Sequence, residues 1–230
     1  MDKESLVEYF KSFDVLANHP VGQPLVKVQN RFWLMIYTIV DWNKIYNMKF
    51  REDDVTIISH PKCGTHWFYY ATYLLVTGNF GPVPPDDQRP MIEFPLTPSH
   101  FEDFEQRPSP RILSTHFPIP LLPKECLKGR CIYVYRNPKD VAVSMYFHLR
   151  KISWNYEMTF PDFVHRFMAG ETFWGPYMEH LKSAAEEINK GTDRILFLSY
   201  EQMQKASFYF FFSPSQLRLI KKFDRTRLKF

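Results

Sequence analysis

Four short runs rich in β-branched and aromatic residues, at 55–59, 112–116, 131–136 and 195–200, are separated or followed by long stretches with apolar residues at helical spacing. The helical stretches are 65–76, 138–150, 160–168 and 177–189. Short apolar strands alternating with helices predict an α/β fold of three layers, α/β/α, around a mainly parallel sheet. In such sheets ligands sit beyond the carboxyl ends of the strands. The loops after Ser59, His116 and Arg136 are therefore expected to converge. Two further stretches, 5–16 and 31–46, carry apolar residues at roughly helical spacing and predict surface or capping helices.

A length of 230 residues predicts one domain, 1–230, large enough to bury a sizeable core. The net charge of +4 is unevenly spread: residues 218–230 hold six Lys or Arg and one Asp, so everything before them sums to −1. That distribution gives no broad basic face for nucleic acid; the basic end reads as a local, solvated patch. Cys63, Cys126 and Cys131 are too few and too scattered for a disulfide framework. The first residues are acidic early and lack an apolar core, unlike a signal peptide. The longest apolar run, 32–40, is far short of the roughly 20 residues a membrane span needs. A reducing, cytoplasmic setting without membrane partners is expected. Between Gly78 and Pro123 stand eleven of the eighteen prolines, with Phe80, Phe94, Phe101, Phe104 and Phe117 among them. That stretch predicts either an ordered crossover or a lid on an apolar pocket.

Three constellations fall at the predicted strand ends. In "SHPKCGTHW" a strand stops at His60-Pro61, Lys62 follows, Gly64 permits close backbone approach, and Thr65 opens a helix. A helix N-terminus beside a lysine favours an anion, and Trp67 offers a face on which a base can stack. The spacing is not the G-x-x-x-x-G-K-[ST] of the usual ATP loop, which disfavours a nucleotide kinase. An ordinary strand-to-helix turn, or zinc held by His60, Cys63 and His66, would use the same residues, although no fourth zinc ligand stands nearby. In "YRNPKDVAVSMYFHLR" the strand ends in Arg136, Asn137 suits a helix cap and Pro138 the first helical position. Ser144 lies on a face with Val141, Met145 and His148. With the planar fork of Arg136 it forms a candidate second phosphate site. In "ILSTHFPIPLLP" His116 follows a strand, where it is a candidate general base.

Together these stretches resemble the cytosolic sulfotransferases, which use 3′-phosphoadenosine-5′-phosphosulfate (PAPS). The family's Y-P-K-S-G-T-T-W loop stands here as His60-Pro61-Lys62-Cys63-Gly64-Thr65-His66-Trp67. Its Y-x-x-R-N-x-K-D-V-x-V-S-x-Y-x-F segment is nearly complete from Tyr133 to Phe147, and its Y-E-D-M is present as Tyr200-Glu201-Gln202-Met203. The lead-in "FREDDVTIIS" is similar to the family's F-R-x-D-D-L-x-x-x-S. The similarity spans about residues 50–205.

The resemblance implies a P-loop NTPase-like sulfotransferase fold and transfer of a sulfonate from PAPS to a hydroxyl or amine of a small, aromatic or apolar acceptor, without a metal. It implies that Lys62, Cys63, Gly64, Thr65 and His66 hold the 5′-phosphosulfate, with Trp67 against the adenine. Arg136 and Ser144 would hold the 3′-phosphate and Tyr200 would touch the purine. His116 and Lys62 would be the catalytic pair. Some positions depart from the family pattern. Ser114 stands where a lysine is usual, His66 replaces a threonine, and Cys63 replaces a serine. Residues 206–230 diverge, and neither the R-K-G segment that closes over the 3′-phosphate nor the usual dimerisation stretch is among the 230 residues. The dimer is thereby left open. The alternative is a weak or inactive homologue that only binds nucleotide.

Overall fold

A computed structural model describes residues 14–16, 25–28, 31–34, 42–79, 81, 90–93, 100–152, 157–172 and 174–210; the side chains of 14–16, 25–28, 31–34, 42, 43, 100, 152 and 206–210 are outside this description. Residues 80, 82–89 and 94–99 of the proline-rich stretch, 5–13 of the first expected helix, 35–41 of the second and 211–230 of the divergent tail lie outside the described residues.

Strands β1 (Asp14–Leu16), β2 (Leu25–Val28) and β3 (Arg31–Leu34) form an antiparallel sheet in chain order. This corrects the start of the helix expected over 31–46, since 31–34 is strand; α1 (Trp42–Asn47) is helical. It also corrects the end of the helix expected over 5–16, since 14–16 is strand. The aromatic and β-branched content around Phe32, Trp33 and Val26 suits a pleated pair, and Val26 lies opposite Trp33. Pairing across the hairpin outweighs a weak helical spacing.

The second sheet is the predicted one. Strands β4 (Val55–Ser59), β5 (Ile112–Thr115), β6 (Arg130–Tyr135) and β7 (Ile195–Ser199) lie in the order β5-β4-β6-β7, all parallel. Helices α2 (Thr65–Thr77), α3 (His100–Gln106), α4 (Pro138–Ile152), α5 (Phe160–Ala169), α6 (Tyr177–Asn189) and α7 (Tyr200–Phe210) flank it. Ile57, Ile58, Leu113 and Val134 are wholly buried, as expected of parallel strands covered on both faces. The chain leaves β4 for β5 on one side and then crosses to β6 on the other. The strand order thus reverses at β4, and ligands bind at such a reversal.

Helix α3 lies inside the proline-rich stretch, in the nine-residue interval free of proline between Pro98 and Pro108. Pro90 to Ile92 adds a partial edge beyond β5. Ser114 N–H donates to the Pro90 carbonyl at 2.9 Å and the Ser114 carbonyl accepts from Ile92 N–H at 2.9 Å. One end of the core is held by a fully buried ion pair. Arg111 donates to both Asp54 oxygens, at 2.8 and 2.5 Å, and to the Lys49 carbonyl at 2.7 Å.

Candidate active site

Because the four strands are parallel, Ser59, Thr115, Tyr135 and Ser199 end at one edge, and the turns that follow build the site. The first turn, residues 60–64, is tight: Lys62 has φ 71° and Gly64 φ 97°, both left-handed. A lysine in that region is strained, and such strain persists where surrounding structure enforces it. Gly64 occupies the N-cap of α2, and no side chain caps the helix. Thr65 opens the helix as expected, and its hydroxyl lies 2.7 Å from that of Ser59, tying the helix start to the strand end. A Cβ on Gly64 would lie 2.5 Å from Tyr200 Cδ2, so the glycine makes room for an aromatic ring. Lys62 is half-buried and its pKa is lowered, first by desolvation and then by Arg136 and Lys151. His148 is lowered likewise, by desolvation and then by Lys62 and Lys151. The charges of Arg136 and Lys151 thus repel that of Lys62, a field that an anion relieves.

Two residues of the first turn face inward. His60 is wholly buried, with Nδ1 3.2 Å from the Pro61 carbonyl and Nε2 3.4 Å from that of Gly175; burial pushes its pKa down to about 4. Cys63 is also buried, its thiol raised to about 12 by desolvation, and its N–H donates to the His60 carbonyl at 3.3 Å. The sequence placed Cys63 among the ligand-binding residues. Its side chain packs below the turn, and its amide closes that turn. His66 is exposed, so His60, Cys63 and His66 do not converge as zinc ligands. Among the described residues no group of three metal-type ligands does.

The second turn carries Arg136. Its Nη1 donates to the Lys62 carbonyl at 3.0 Å, and its guanidinium lies 4.2 Å from the Tyr200 ring centroid. Trp67 stands edge-on to Tyr200, with centroids 5.4 Å apart at 70°. Arg136 Nε is buried and makes no hydrogen bond, a donor suited to a ligand oxygen. Asn137 caps α4 as expected, with Oδ1 accepting from Lys139 N–H at 3.0 Å. Ser144 is half-exposed two turns into α4, and no hydrogen bond joins it to Arg136. Tyr200 opens α7 and does not end the strand, because β7 stops at Ser199.

His116 follows β5. Its Nδ1 lies 2.7 Å from the Ser59 carbonyl, which can only accept, so Nδ1 carries the proton and Nε2 the lone pair. Two partners escaped the sequence reading. Glu93, wholly buried, accepts from the His116 N–H at 2.6 Å. Trp174, at φ 71°, sets its ring 5.3 Å from the imidazole at 82°. A lone acid between Ile92 and Phe94 was the only signal for Glu93. Nothing periodic marks Trp174.

A cationic turn, a stacked arginine and a histidine held by a strand-end carbonyl stand together at the switch point of a parallel α/β sheet, the place where ligands of such folds sit. The chain belongs to the sulfotransferase family: residues 52–207 match the model of the sulfotransferase domain. It is 35% identical to mouse sulfotransferase 1 family member D1 over 71% of this chain and 58% of that protein. It is 36% identical to dog sulfotransferase 1B1 over 74% of this chain and 61% of that protein. The chain thus spans about three fifths of the length of these curated relatives. A mouse sulfotransferase complexed with PAP superposes with a TM-score of 0.66 at 28% identity, covering 89% of this chain and 69% of that one. A retinol dehydratase in a complex with retinol and PAP shares the fold, with a TM-score of 0.68 at 23% identity over 99% of this chain and 74% of that one. Among the described residues no helix is long and apolar enough to cross a membrane.

Proposed function

We propose that this chain transfers a sulfonate from PAPS to a hydroxyl or amine of a small aromatic or apolar acceptor, as a single domain acting in the cytoplasm. The observation that carries this reading is the convergence of Lys62, Arg136 and His116 at the switch point, with Arg136 Nε buried and lacking a hydrogen bond. The residues present suit a bisphosphorylated adenosine. Lys62, Gly64, Thr65 and His66 would hold the 5′ end, Arg136 and Ser144 the 3′-phosphate, and Trp67 and Tyr200 would face the purine.

When bound, the donor supplies an electrophilic sulfonate on a phosphate leaving group. His116 accepts the acceptor's proton at Nε2, because its Nδ1–H is held by the Ser59 carbonyl. Lys62 holds its ammonium against the negative charge at the phosphate end, the preorganised help that a fixed cation gives. Trp174, nearly buried over the imidazole, excludes water and offers an apolar wall to the acceptor.

The test is a thermal-shift titration with adenosine 3′,5′-bisphosphate, paired with sulfonation of a simple phenol by labelled PAPS in the presence of a chelator. A ligand that binds only the native state raises its stability by mass action. A rise in midpoint and labelled product are expected. Absence of any shift at millimolar bisphosphate overturns the reading. A shift without turnover replaces it with a nucleotide-binding homologue, which no described residue favours at present.

A further inference from the structure

Where β6 runs out, the backbone of Arg136 needs partners. The β4–β6 ladder ends at Ser59 and Val134, and the β6–β7 ladder ends at Tyr135 and Ser199. Arg136 therefore lies one residue beyond any strand partner, and a backbone N–H and C=O at this depth must be satisfied some other way. One atom serves both. The phenolic oxygen of Tyr177, the first residue of α6, accepts from Arg136 N–H at 3.1 Å and donates to the Arg136 carbonyl at 2.5 Å. The Cys63 thiol approaches the same oxygen at 4.0 Å. His60 packs edge-on against the Tyr177 ring, with centroids 5.0 Å apart.

Tyr177 is 2% exposed, and burial pushes its phenol well above the ordinary range, so the proton stays on and the oxygen keeps both roles. A hydroxyl is the smallest group that can donate and accept at one point. The two turns it touches are those that carry Lys62 and the guanidinium of Arg136, which meet 3.0 Å apart through Nη1 and the Lys62 carbonyl.

We propose that Tyr177 is a positioning residue of the donor site: its buried hydroxyl fixes the backbone at Arg136 against the Lys62 turn and so sets the separation of the two phosphate-holding groups. This rests on the donor reading above. Tyr177 touches no substrate. It acts through Arg136, so the effect belongs to the nucleotide with two phosphates and is absent for one that reaches the Lys62 turn alone.

The experiment is calorimetric titration of purified full chain, unmodified and Tyr177→Phe, with adenosine 3′,5′-bisphosphate and with adenosine 5′-monophosphate. Steady-state kinetics on both substrates accompany it. Loss of the hydroxyl is expected to weaken bisphosphate binding by about tenfold or more, with little change for the monophosphate. KM for PAPS rises while KM for the phenol barely moves; the melting midpoint falls modestly, because the Arg136 N–H and carbonyl lose their partner. Tyr177→Trp, an aromatic whose N–H donates but cannot accept, gives the same loss if the phenylalanine variant fails to fold. Equal weakening for both nucleotides, in step with a lowered midpoint, overturns the inference and leaves the hydroxyl structural. Unchanged bisphosphate affinity in a folded variant also overturns it while leaving the donor reading intact. Failure of the unmodified chain to bind bisphosphate overturns the donor reading and this inference with it.

Discussion

The imidazole of His116 and the carbonyl of Ser59 meet at 2.7 Å, across the carboxyl ends of two neighbouring parallel strands. A carbonyl offers only lone pairs, so the contact selects the tautomer with its proton on Nδ1 and leaves Nε2 basic. The sheet itself, through the register of β4 and β5, thus prepares the base.

His116→Ala should lower turnover by roughly 10²–10⁴-fold, the usual worth of a positioned general base. Bisphosphate affinity should hardly change, since the ring contacts the Ser59 carbonyl and Trp174 and serves the acceptor's proton, not a phosphate. A folded variant with a near-normal rate would make the histidine structural. Steady-state kinetics and a bisphosphate titration on the same preparation decide it.

Arg136→Ala should remove most of the preference for adenosine 3′,5′-bisphosphate over the 5′-monophosphate. Each charge-assisted bond contributes about 1.5–3 kcal/mol, so a loss of about ten- to a hundredfold in bisphosphate affinity is expected. Arg136→Lys should recover little, because an ammonium cannot reproduce the planar fork that lies on Tyr200. Equal affinities for the two nucleotides in the unmodified chain would sink the assignment.

Anion binding should be coupled to proton uptake. Lys62 is depressed by desolvation and by the positive charges of Arg136 and Lys151, and a bound anion reverses the charge contribution. A group whose pKa rises on binding takes up protons, so affinity should fall as pH climbs into the alkaline range. Calorimetry in buffers of differing ionisation enthalpy measures the uptake directly, and Lys62→Met should diminish it. An uptake unchanged in that variant would assign it to another group.

Acid should destabilise the fold through His60. Its folded pKa is lowered from 6.5 to about 4 by burial, so between those values the unfolded chain binds the proton and the native one does not. Stability is then highest above about pH 6.5 and falls as pH drops toward 4, by on the order of 3 kcal/mol at 1.36 kcal/mol per unit. Urea melts at pH 7 and pH 5 should show the loss, and His60→Phe should flatten its dependence on pH in that window.

Arg111→Met should be among the costliest changes away from the site. Its side chain and that of Asp54 are both fully buried, and removing one partner strands the other charge. A loss of about 3–5 kcal/mol is expected, read as a lower urea midpoint. Asp54→Leu combined with Arg111→Met should recover part of it. A single variant as stable as the unmodified chain would contradict the ion pair.

The sequence by itself determined the parallel α/β sheet and the neighbourhood of the site. Runs such as Thr56–Ile58 carry side chains that only a covered strand accommodates, and glycine, proline and asparagine mark where those strands must turn. It also singled out Lys62, Arg136 and His116, because strand ends in such a fold converge whatever the loops contain, and Tyr200 through the family resemblance. Tertiary structure alone decided which atoms of those residues face a ligand. Cys63 turned under its turn, Thr65 was taken by Ser59, and Glu93, Trp174 and Tyr177 entered from segments with no periodic signal. The first strands were misread for a related reason: over 31–34, helical spacing and hairpin pairing are both compatible with the residues, and only the opposite strand separates them. Local chemistry fixes what each segment can be. Contacts between residues far apart in the chain fix what each side chain is left free to do, because a buried polar group must take whatever partner the packed fold brings to it.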